Sequence, residues 1–230
     1  MYFRLSNTAQ KETLEKWTGA IFKYPDLYRP KVLINGLNEV SIPIISMKER
    51  DKLSLAIWGM LPENYREDWA VFQNLSNTLN FHKSAMYSDL WYAKAFKSRR
   101  CLIPVTGFFT SYIKNGQSFP RFISRKNDDP FYLAGIYTFL DDGFNTCSLL
   151  LGQATSFIEA SQNVVDTTPL IIDRADKKSW LDLKTSLNSC KQLLQRPEGD
   201  IFQSHPIAKE LFNHDITYDS MLEPYEYEGS

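Results

Sequence analysis

The eleven residues from Arg99 to Phe109 constrain the fold of this chain more than any other stretch. They read Arg-Arg-Cys-Leu-Ile-Pro-Val-Thr-Gly-Phe-Phe. The almost wholly apolar run from Cys101 to Val105 predicts a short buried strand. Gly107 permits backbone geometry that a residue with a Cβ atom resists. We therefore expect a buried strand, a turn signal at Gly107 and then a second, aromatic-rich strand.

The two arginines that open this stretch have two interpretations. Arg99 and Arg100 could contact phosphate, or they could cap backbone carbonyls and pair with acids where the strand begins. We favour the second interpretation, because a nearly neutral chain shows no larger basic stripe around them.

The net charge and the cysteine content narrow the functional classes. The 230 residues carry a net charge of −1, so nucleic acid could bind only at a local basic patch. Cys101, Cys147 and Cys190 are widely spaced and odd in number, which argues against a disulfide framework or a zinc site and favours a reducing cytoplasm. No apolar run suits a signal peptide or approaches the roughly 20 residues of a membrane span. We expect a cytoplasmic protein without membrane, metal or cofactor.

Hydrophobic periodicity and turn residues divide the chain into short elements. Asn115-Gly116 between two apolar segments indicates a hairpin. Residues 62–80 are polar and predicted to be irregular. A single α+β domain over residues 1–218, with a mainly antiparallel sheet, is the simplest account, followed by a mobile acidic tail over residues 219–230. Helices are predicted over 8–20, 88–97, 157–160, 175–183 and 185–194, and strands over 2–5, 32–34, 42–45, 52–58, 101–105, 108–113, 119–123, 131–139, 146–151 and 170–172.

Several stretches, taken in order, resemble one protein family. Trp58-Gly59-Met60-Leu61-Pro62 is similar to its WG-[LMV]-[IV]-P motif, and the run from Arg100 to Phe109 resembles its RCLIPADGFYEW motif. Residues 134–137 resemble its AGIY motif, residues 166–172 its HDRMPVIL motif, and Asn80 its NAR-S/A-E motif. The chain is thus identified as resembling the SOS response-associated peptidase (SRAP) family of abasic-site processing proteins, from Met1 to about Leu183.

The resemblance implies a fold and a chemistry. It implies a single domain with a barrel-like β core and flanking helices. Members of the family bind single-stranded DNA in the DNA damage response and form covalent protein–DNA crosslinks at abasic sites. The nucleophile is a cysteine at position 2, exposed by removal of the first methionine, and an Asn, a Glu and a His complete the site by general acid–base work.

Carried over residue by residue, most of this chemistry is lost. Tyr2 occupies the position of the cysteine, Thr110 that of the glutamate and Val165 that of the histidine. A phenol cannot close the thiazolidine ring that the family forms, and neither Thr110 nor Val165 can move a proton as the family residues do. Asn80 is the one surviving catalytic position, and Arg4 is a candidate phosphate contact.

The candidate nucleic-acid contacts are few, and each has a structural alternative. We predict contacts from Arg4, Asn80, His82, Lys83 and Trp69. His82-Lys83 could equally form a solvated loop. Trp69, in the irregular segment, could stack on a base or pack in the core, whereas Trp58 is expected in the core.

Three functional hypotheses follow. The first is a non-covalent binder of single-stranded or damaged DNA that has lost the crosslinking and peptidase chemistry, and is therefore not an enzyme. The second is a pseudoenzyme that serves as a protein-interaction or regulatory module. The third, ranked last, is residual chemistry in which the Met1 amine forms a Schiff base with an abasic aldehyde.

Overall fold

A computed structural model describes residues 1–212 and 218–227. Within these ranges the chain forms fourteen strands, six α-helices and several short 3₁₀ helices. The strands are β1 (Arg4–Asn7), β2 (Ile21–Phe22), β3 (Lys31–Asn35), β4 (Ser41–Ser46), β5 (Lys52–Trp58), β6 (Asn80–His82), β7 (Arg100–Val105), β8 (Gly107–Lys114), β9 (Gln117–Arg125), β10 (Phe131–Phe139), β11 (Asn145–Gln153), β12 (Thr167–Pro169), β13 (Ile171–Ile172) and β14 (Phe202–Pro206). The helices are α1 (Lys11–Thr18), α2 (Trp69–Leu75), α3 (Ala93–Ser98), α4 (Ser156–Glu159), α5 (Lys177–Trp180) and α6 (Leu187–Leu193).

The larger of two sheets has the strand order β12-β11-β10-β7-β4-β5-β2, with β13 and β6 added at its sides. Its central pairs β10–β11, β10–β7, β4–β7 and β4–β5 are antiparallel. Strand β5 also pairs in parallel with β11, so that five strands are linked in a cycle. The predicted α+β class with a mainly antiparallel sheet is confirmed.

The smaller sheet has the order β14-β9-β8-β1-β3 and carries the N-terminus on β1. The stretch from Arg99 to Phe109 joins the two sheets, because β7 lies in the larger one and β8 in the smaller one, separated by Thr106 alone. All six residues of β7 are buried. The apolar run therefore forms the buried strand that its composition predicts.

Gly107 is required by crowding. A Cβ atom at this position would lie 2.2 Å from the ring of Phe122 and 2.8 Å from the carbonyl oxygen of Ile123. The φ angle of Gly107 lies outside the left-handed region, so the expected special backbone geometry is not the reason for a glycine here. The reason is the close approach between β8 and β9.

The two arginines before β7 have structural partners. Arg100 is fully buried and donates hydrogen bonds to the carbonyl oxygens of Phe96 (2.8 Å), Lys97 (2.9 Å), Trp180 (2.7 Å) and Asp182 (2.7 Å). Arg99 forms an ion pair with Glu63. Arg100 thus caps the C-terminal carbonyls of α3 and ties them to the chain at the end of α5, in agreement with the favoured interpretation.

The structure corrects several element boundaries. Helix α1 begins at Lys11, because the Thr8 amide donates to the Thr106 hydroxyl (3.0 Å) and Thr8 therefore caps no helix. Helix α2 lies within the segment predicted to be irregular, and α3 begins five residues later than predicted. Residues 174–176 form a 3₁₀ turn before α5. Strand β14 was not predicted.

The acidic tail lies against the smaller sheet in the part that the structure describes. The amide of Tyr225 donates to the Pro206 carbonyl (2.9 Å), and the hydroxyl of Tyr227 donates to the Ile207 carbonyl (2.6 Å). The Tyr227 ring also meets Phe119 edge-on, with centroids 4.9 Å apart. These contacts of Tyr225 and Tyr227 hold part of the segment against the sheet, while residues 218–220 and 223–226 are exposed. The mobility of the tail stays a prediction, and residues 228–230 lie outside the described residues. None of the described helices is both long and apolar enough to cross a membrane.

Candidate functional site at the N-terminus

A small pocket of about 100 Å³ lies where the N-terminal residues meet the start of β8 and the loop after α4. It brings together the three positions at which the family resemblance places a nucleophile, an acid and a base. It is lined, among others, by Tyr2, Arg4, Thr110, Gln162, Val165 and Phe212. Residues more than a hundred positions apart in sequence thus converge as the resemblance predicts.

Tyr2 fills the base of this pocket. Its side chain is 2% exposed, and its ring meets Phe108 edge-on with centroids 5.6 Å apart. The hydroxyl lies 3.0 Å from both Gln162 Oε1 and the Thr167 carbonyl oxygen, either of which can accept its proton. Burial raises the pKa of Tyr2 to about 12, so the phenol is neutral at physiological pH and a poor nucleophile.

Gln162 organises the polar atoms around Tyr2. Its Oε1 accepts hydrogen bonds from Tyr2 and from the Thr110 hydroxyl. Its Nε2 donates to the carbonyl oxygens of Val165 (3.0 Å) and Thr167 (2.8 Å). Gln162 belongs to no sequence motif, and all that marks it is a contact to a residue 160 positions away. It ties together the backbone or side chains of Tyr2, Thr110 and Val165, where the resemblance places the nucleophile, the acid and the base.

Asn80 supports the same residue from the other side. It begins β6, which pairs in parallel with β11. Its Nδ2 donates to the carbonyl oxygen of Tyr2 at 2.7 Å, while its Oδ1 is buried and has no hydrogen-bond partner among the described residues. Since a buried carbonyl oxygen rarely lacks a donor, this atom can accept a hydrogen bond from a ligand.

Arg4 lies beside Tyr2 on β1, between two aromatic rings. The centre of its guanidinium is 3.8 Å from the centroid of the Phe212 ring and 4.6 Å from that of Phe3. Its Nε is buried without a partner, and Arg4 has no ion pair within the described residues. Burial lowers the pKa of the guanidinium, which nevertheless stays charged. A half-buried cation without a counter-ion is suited to an anionic ligand.

The remaining predicted contacts lie outside the pocket. His82 is exposed, and its Nδ1 hydrogen-bonds to the Ser84 hydroxyl at 2.7 Å. Lys83 is half-buried at the start of a 3₁₀ helix. They lie two and three residues after Asn80, outside the lining of the pocket, and could meet a ligand only beyond it.

Trp69 is a core residue in this structure. It is 7% exposed, and its indole N–H donates to the Gly59 carbonyl oxygen at 3.1 Å. The buried ring offers no face on which a base could stack, which corrects the base-stacking interpretation of Trp69. Trp58 is fully buried, as expected, and donates to the Leu79 carbonyl at 2.9 Å.

The cysteines lie away from this pocket. Cys101, Cys147 and Cys190 are buried, and burial raises the pKa of each thiol. Within the described residues, no three His, Cys, Asp or Glu side chains are grouped as metal ligands would be.

Comparison with known proteins bears directly on this pocket. The family model of the SOS response associated peptidases (SRAP) matches residues 1–214. The abasic site processing protein YoqW of Bacillus subtilis is 22% identical over 174 residues, covering 73% of this chain and 74% of that protein. YobE of the same organism is 21% identical over 173 residues, covering 73% and 76%.

Solved structures share the fold at low identity. A protein from Bacteroides thetaiotaomicron has a TM-score of 0.87 at 19% identity, covering 97% of this chain and 100% of that one. A protein from Bordetella bronchiseptica has a TM-score of 0.72 at 17% identity, covering 90% and 99%. With the family model spanning 214 of 230 residues, the chain belongs to the SOS response associated peptidase family and is related to abasic site processing proteins.

Proposed function

We propose that this protein binds single-stranded DNA, or an abasic site within it, non-covalently at the pocket around Tyr2. One observation carries the proposal: a neutral, hydrogen-bonded phenol occupies the nucleophile position, in the same pocket as the guanidinium of Arg4, which has no ion pair within the described residues. The family's covalent chemistry has no thiol to start from, whereas a cation for a phosphate remains.

The residues that line the pocket support a binding role over a catalytic one. Its side chains include no Asp, Glu, His or Cys among the described residues. The Thr110 hydroxyl donates a hydrogen bond to Gln162 Oε1, and neither side chain titrates at physiological pH. No side chain of the pocket can therefore serve as a proton carrier in general acid–base catalysis, and the Met1 α-amine, whose pKa burial lowers, is the group through which residual chemistry would have to act.

The same residues suggest what is recognised. The Arg4 guanidinium, in the pocket, can donate to a phosphate oxygen, and the unpartnered Oδ1 of Asn80, behind the Tyr2 backbone, can accept a hydrogen bond from a sugar hydroxyl. A cavity of about 100 Å³ is small for a complete nucleoside, so an abasic sugar is the better match. His82 and Lys83 would contact the strand beyond this point.

Fluorescence anisotropy with a single-stranded oligonucleotide tests the proposal. Oligonucleotides with and without one abasic site are titrated at low and moderate salt, and the mixtures are then run on a denaturing gel with and without borohydride. We expect salt-sensitive binding without a covalent band. Arg4→Gln should weaken binding about tenfold, since a charge-assisted hydrogen bond is lost, whereas Lys184→Gln, the same charge change at an exposed position, should not.

Other outcomes identify other functions. A covalent band, with or without borohydride, would overturn the non-covalent mechanism and, if borohydride is needed, implicate the Met1 amine. Absence of binding by the wild-type protein would favour the second candidate, a protein-interaction or regulatory module. The observation that favours this second candidate is that Tyr2 itself fills the pocket. The cytoplasmic location stays a prediction from the cysteine content.

A further inference from the structure

Three arginines converge on a second, shallow pocket away from Tyr2. Arg125, Arg174 and Arg196 line it together with Trp17 and two carboxylates, those of Asp173 and Glu198. The pocket has a volume of about 60 Å³. A single water needs roughly 10–15 Å³ of such space, so the pocket holds a few waters or one tetrahedral oxyanion.

Strand pairing explains why these arginines meet. Arg125 ends β9 and lies opposite Phe202 of β14. Ile171 of β13 exchanges two backbone hydrogen bonds with Gln195, at 2.9 and 2.8 Å. This bridge holds Arg174, three residues after Ile171, close to Arg196, which follows Gln195.

The three guanidinium groups lack polar partners. Within residues 1–212 and 218–227, none of them has a side-chain hydrogen bond or an ion pair, although two carboxylates line the same pocket. Arg174 lies 5.4 Å from the centroid of the Trp17 ring and Arg125 lies 6.0 Å from that of Phe202. The Nε of Arg125 is shielded from solvent and has no acceptor.

Three other arginines, outside both pockets, have polar partners. Arg99 pairs with Glu63, Arg100 donates to four carbonyls, and Arg121 donates to Ser204 through Nε (3.0 Å) and Nη2 (3.1 Å). A buried N–H without an acceptor, next to two further unpaired guanidinium groups, indicates an acceptor supplied from outside the chain.

We propose that Arg125, Arg174 and Arg196 bind a phosphate group. Planar guanidinium groups donate two parallel hydrogen bonds to phosphate oxygens, and the size of the pocket suits one such group. The three arginines carry three positive charges, and Asp173 and Glu198 carry two negative charges, so the five side chains have a net charge of +1. The phosphate can belong to a nucleic-acid backbone or to a free phosphorylated molecule, and the experiment below distinguishes these sources.

The first measurement is calorimetric titration of the full-length protein with inorganic phosphate at constant ionic strength. The test variant carries Arg125→Gln, Arg174→Gln and Arg196→Gln, and the matched control carries Lys114→Gln, Lys178→Gln and Lys184→Gln, which removes the same charge from exposed positions. We expect saturable binding by the wild type and the lysine control, and at least a tenfold loss in the arginine variant. Equal affinity in all three proteins, or no saturable binding by the wild type, overturns the proposal.

A second arm identifies the source of the phosphate. If the site holds DNA backbone, the arginine variant should also show a shallower salt dependence of oligonucleotide binding, by roughly 0.7 per lost phosphate contact. If DNA binding is unchanged while phosphate binding is lost, the ligand is a free phosphorylated molecule. Should the triple variant fail to fold, Arg196→Gln alone, at an exposed position, must still weaken phosphate binding. Arg4→Gln, in the Tyr2 pocket, should not reproduce the loss seen in the arginine variant, which separates this proposal from the one on the Tyr2 pocket.

Discussion

The side-chain amide of Asn80 donates a 2.7 Å hydrogen bond to the backbone carbonyl of Tyr2, 78 residues earlier in the chain. The bond joins the two positions at which the family resemblance places the catalytic asparagine and the nucleophile. It acts on the backbone of residue 2 and so does not depend on which side chain stands there. Asn80 therefore fixes the N-terminal strand in the pocket whether or not chemistry takes place.

Asn80→Ala should lower the free energy of unfolding by about 1–2 kcal/mol, because the Tyr2 carbonyl loses its donor. It should also reduce any preference for abasic over intact DNA, since Oδ1 is lost with Nδ2. Urea denaturation and competition anisotropy measure the two effects. Asn38→Ala, at an exposed position, serves as the control. Unchanged stability would show that water replaces the amide at no cost.

Alkaline pH should destabilise the protein through Tyr2. The pKa of Tyr2 is raised from an ordinary value of about 10 to about 12 in the folded state. The stabilising contribution of the neutral Tyr2 phenol is therefore complete below pH 10. It is lost as the pH rises towards 12, because Tyr2 ionises first in the unfolded chain.

Between pH 9 and pH 11 the free energy of unfolding of the wild type falls in part because Tyr2 ionises in the unfolded chain. Tyr2→Phe should make this pH dependence shallower by an amount equal to a fraction of one proton, measured by urea titrations at fixed pH. At pH 7 the same change should cost less than about 1.5 kcal/mol. Gln162 Oε1 keeps the Thr110 hydroxyl as donor, and the Thr167 carbonyl keeps Gln162 Nε2, so neither is orphaned. If the pH dependence of the free energy of unfolding is the same in Tyr2→Phe and the wild type, other buried tyrosines, such as Tyr28 or Tyr132, cause the loss of stability at alkaline pH.

Arg100→Ala should destabilise the fold by about 3–5 kcal/mol, because two buried and two partly buried carbonyls lose the same donor at once. Arg100→Lys should recover only part of this loss. The single nitrogen of an ammonium cannot donate to carbonyls of α3 and of the segment after α5 at once, as the three nitrogens of the guanidinium do. Lys97→Ala, one turn away and exposed, should change stability by less than about 0.5 kcal/mol. Chemical denaturation with two spectroscopic probes checks each value.

Gly107→Ala should cost about 1–3 kcal/mol or more, because the added methyl group overlaps the Phe122 ring. Gly116→Ala provides the contrast: its φ of +74° strains an alanine, but no atom lies within 4 Å of the new Cβ. We expect about 1 kcal/mol there. Adding Phe122→Leu to Gly107→Ala should restore stability if crowding is the cause, and a failure to do so would point to the backbone instead.

Strands with strong apolar runs were predictable from the sequence to within one or two residues at each end, and two of them to the residue. Strand β5 and strand β10 have the expected bounds, because alternating or continuous apolar residues allow one register only. Strand β14 was missed because Gln203, Ser204 and His205 give it a polar composition, and its pairing with β9 supplies what its own sequence does not.

The pocket was predictable only through the family motifs. These identified Tyr2, Thr110 and Val165, but Gln162 and Phe212 belong to no motif and reach the pocket through tertiary folding alone. For Trp69 the sequence left base stacking and core packing both open, and the short helix α2 turns the ring inward onto Gly59. Local composition cannot reveal which face of a single amphipathic turn meets the core.

Phe212 should contribute to DNA binding through Arg4, provided that the proposed function is correct. Its ring lies 3.8 Å from the Arg4 guanidinium and meets Phe109 edge-on, with centroids 5.5 Å apart. The ring covers one face of the cation and leaves the N–H edge for a ligand. Phe212→Leu, which keeps an apolar side chain without a π face, should weaken oligonucleotide binding about three- to tenfold.

Phe212→Ala should weaken binding at least as much, and Phe144→Ala, which removes a 60% exposed ring from a hairpin tip, should leave affinity unchanged. The double variant Arg4→Gln/Phe212→Leu should bind no more weakly than Arg4→Gln alone, because the ring acts only through the cation. Additive losses would mean that Phe212 touches DNA directly. If Phe212→Leu binds as tightly as the wild type, the stacked ring merely packs against Arg4 and has no part in recognition.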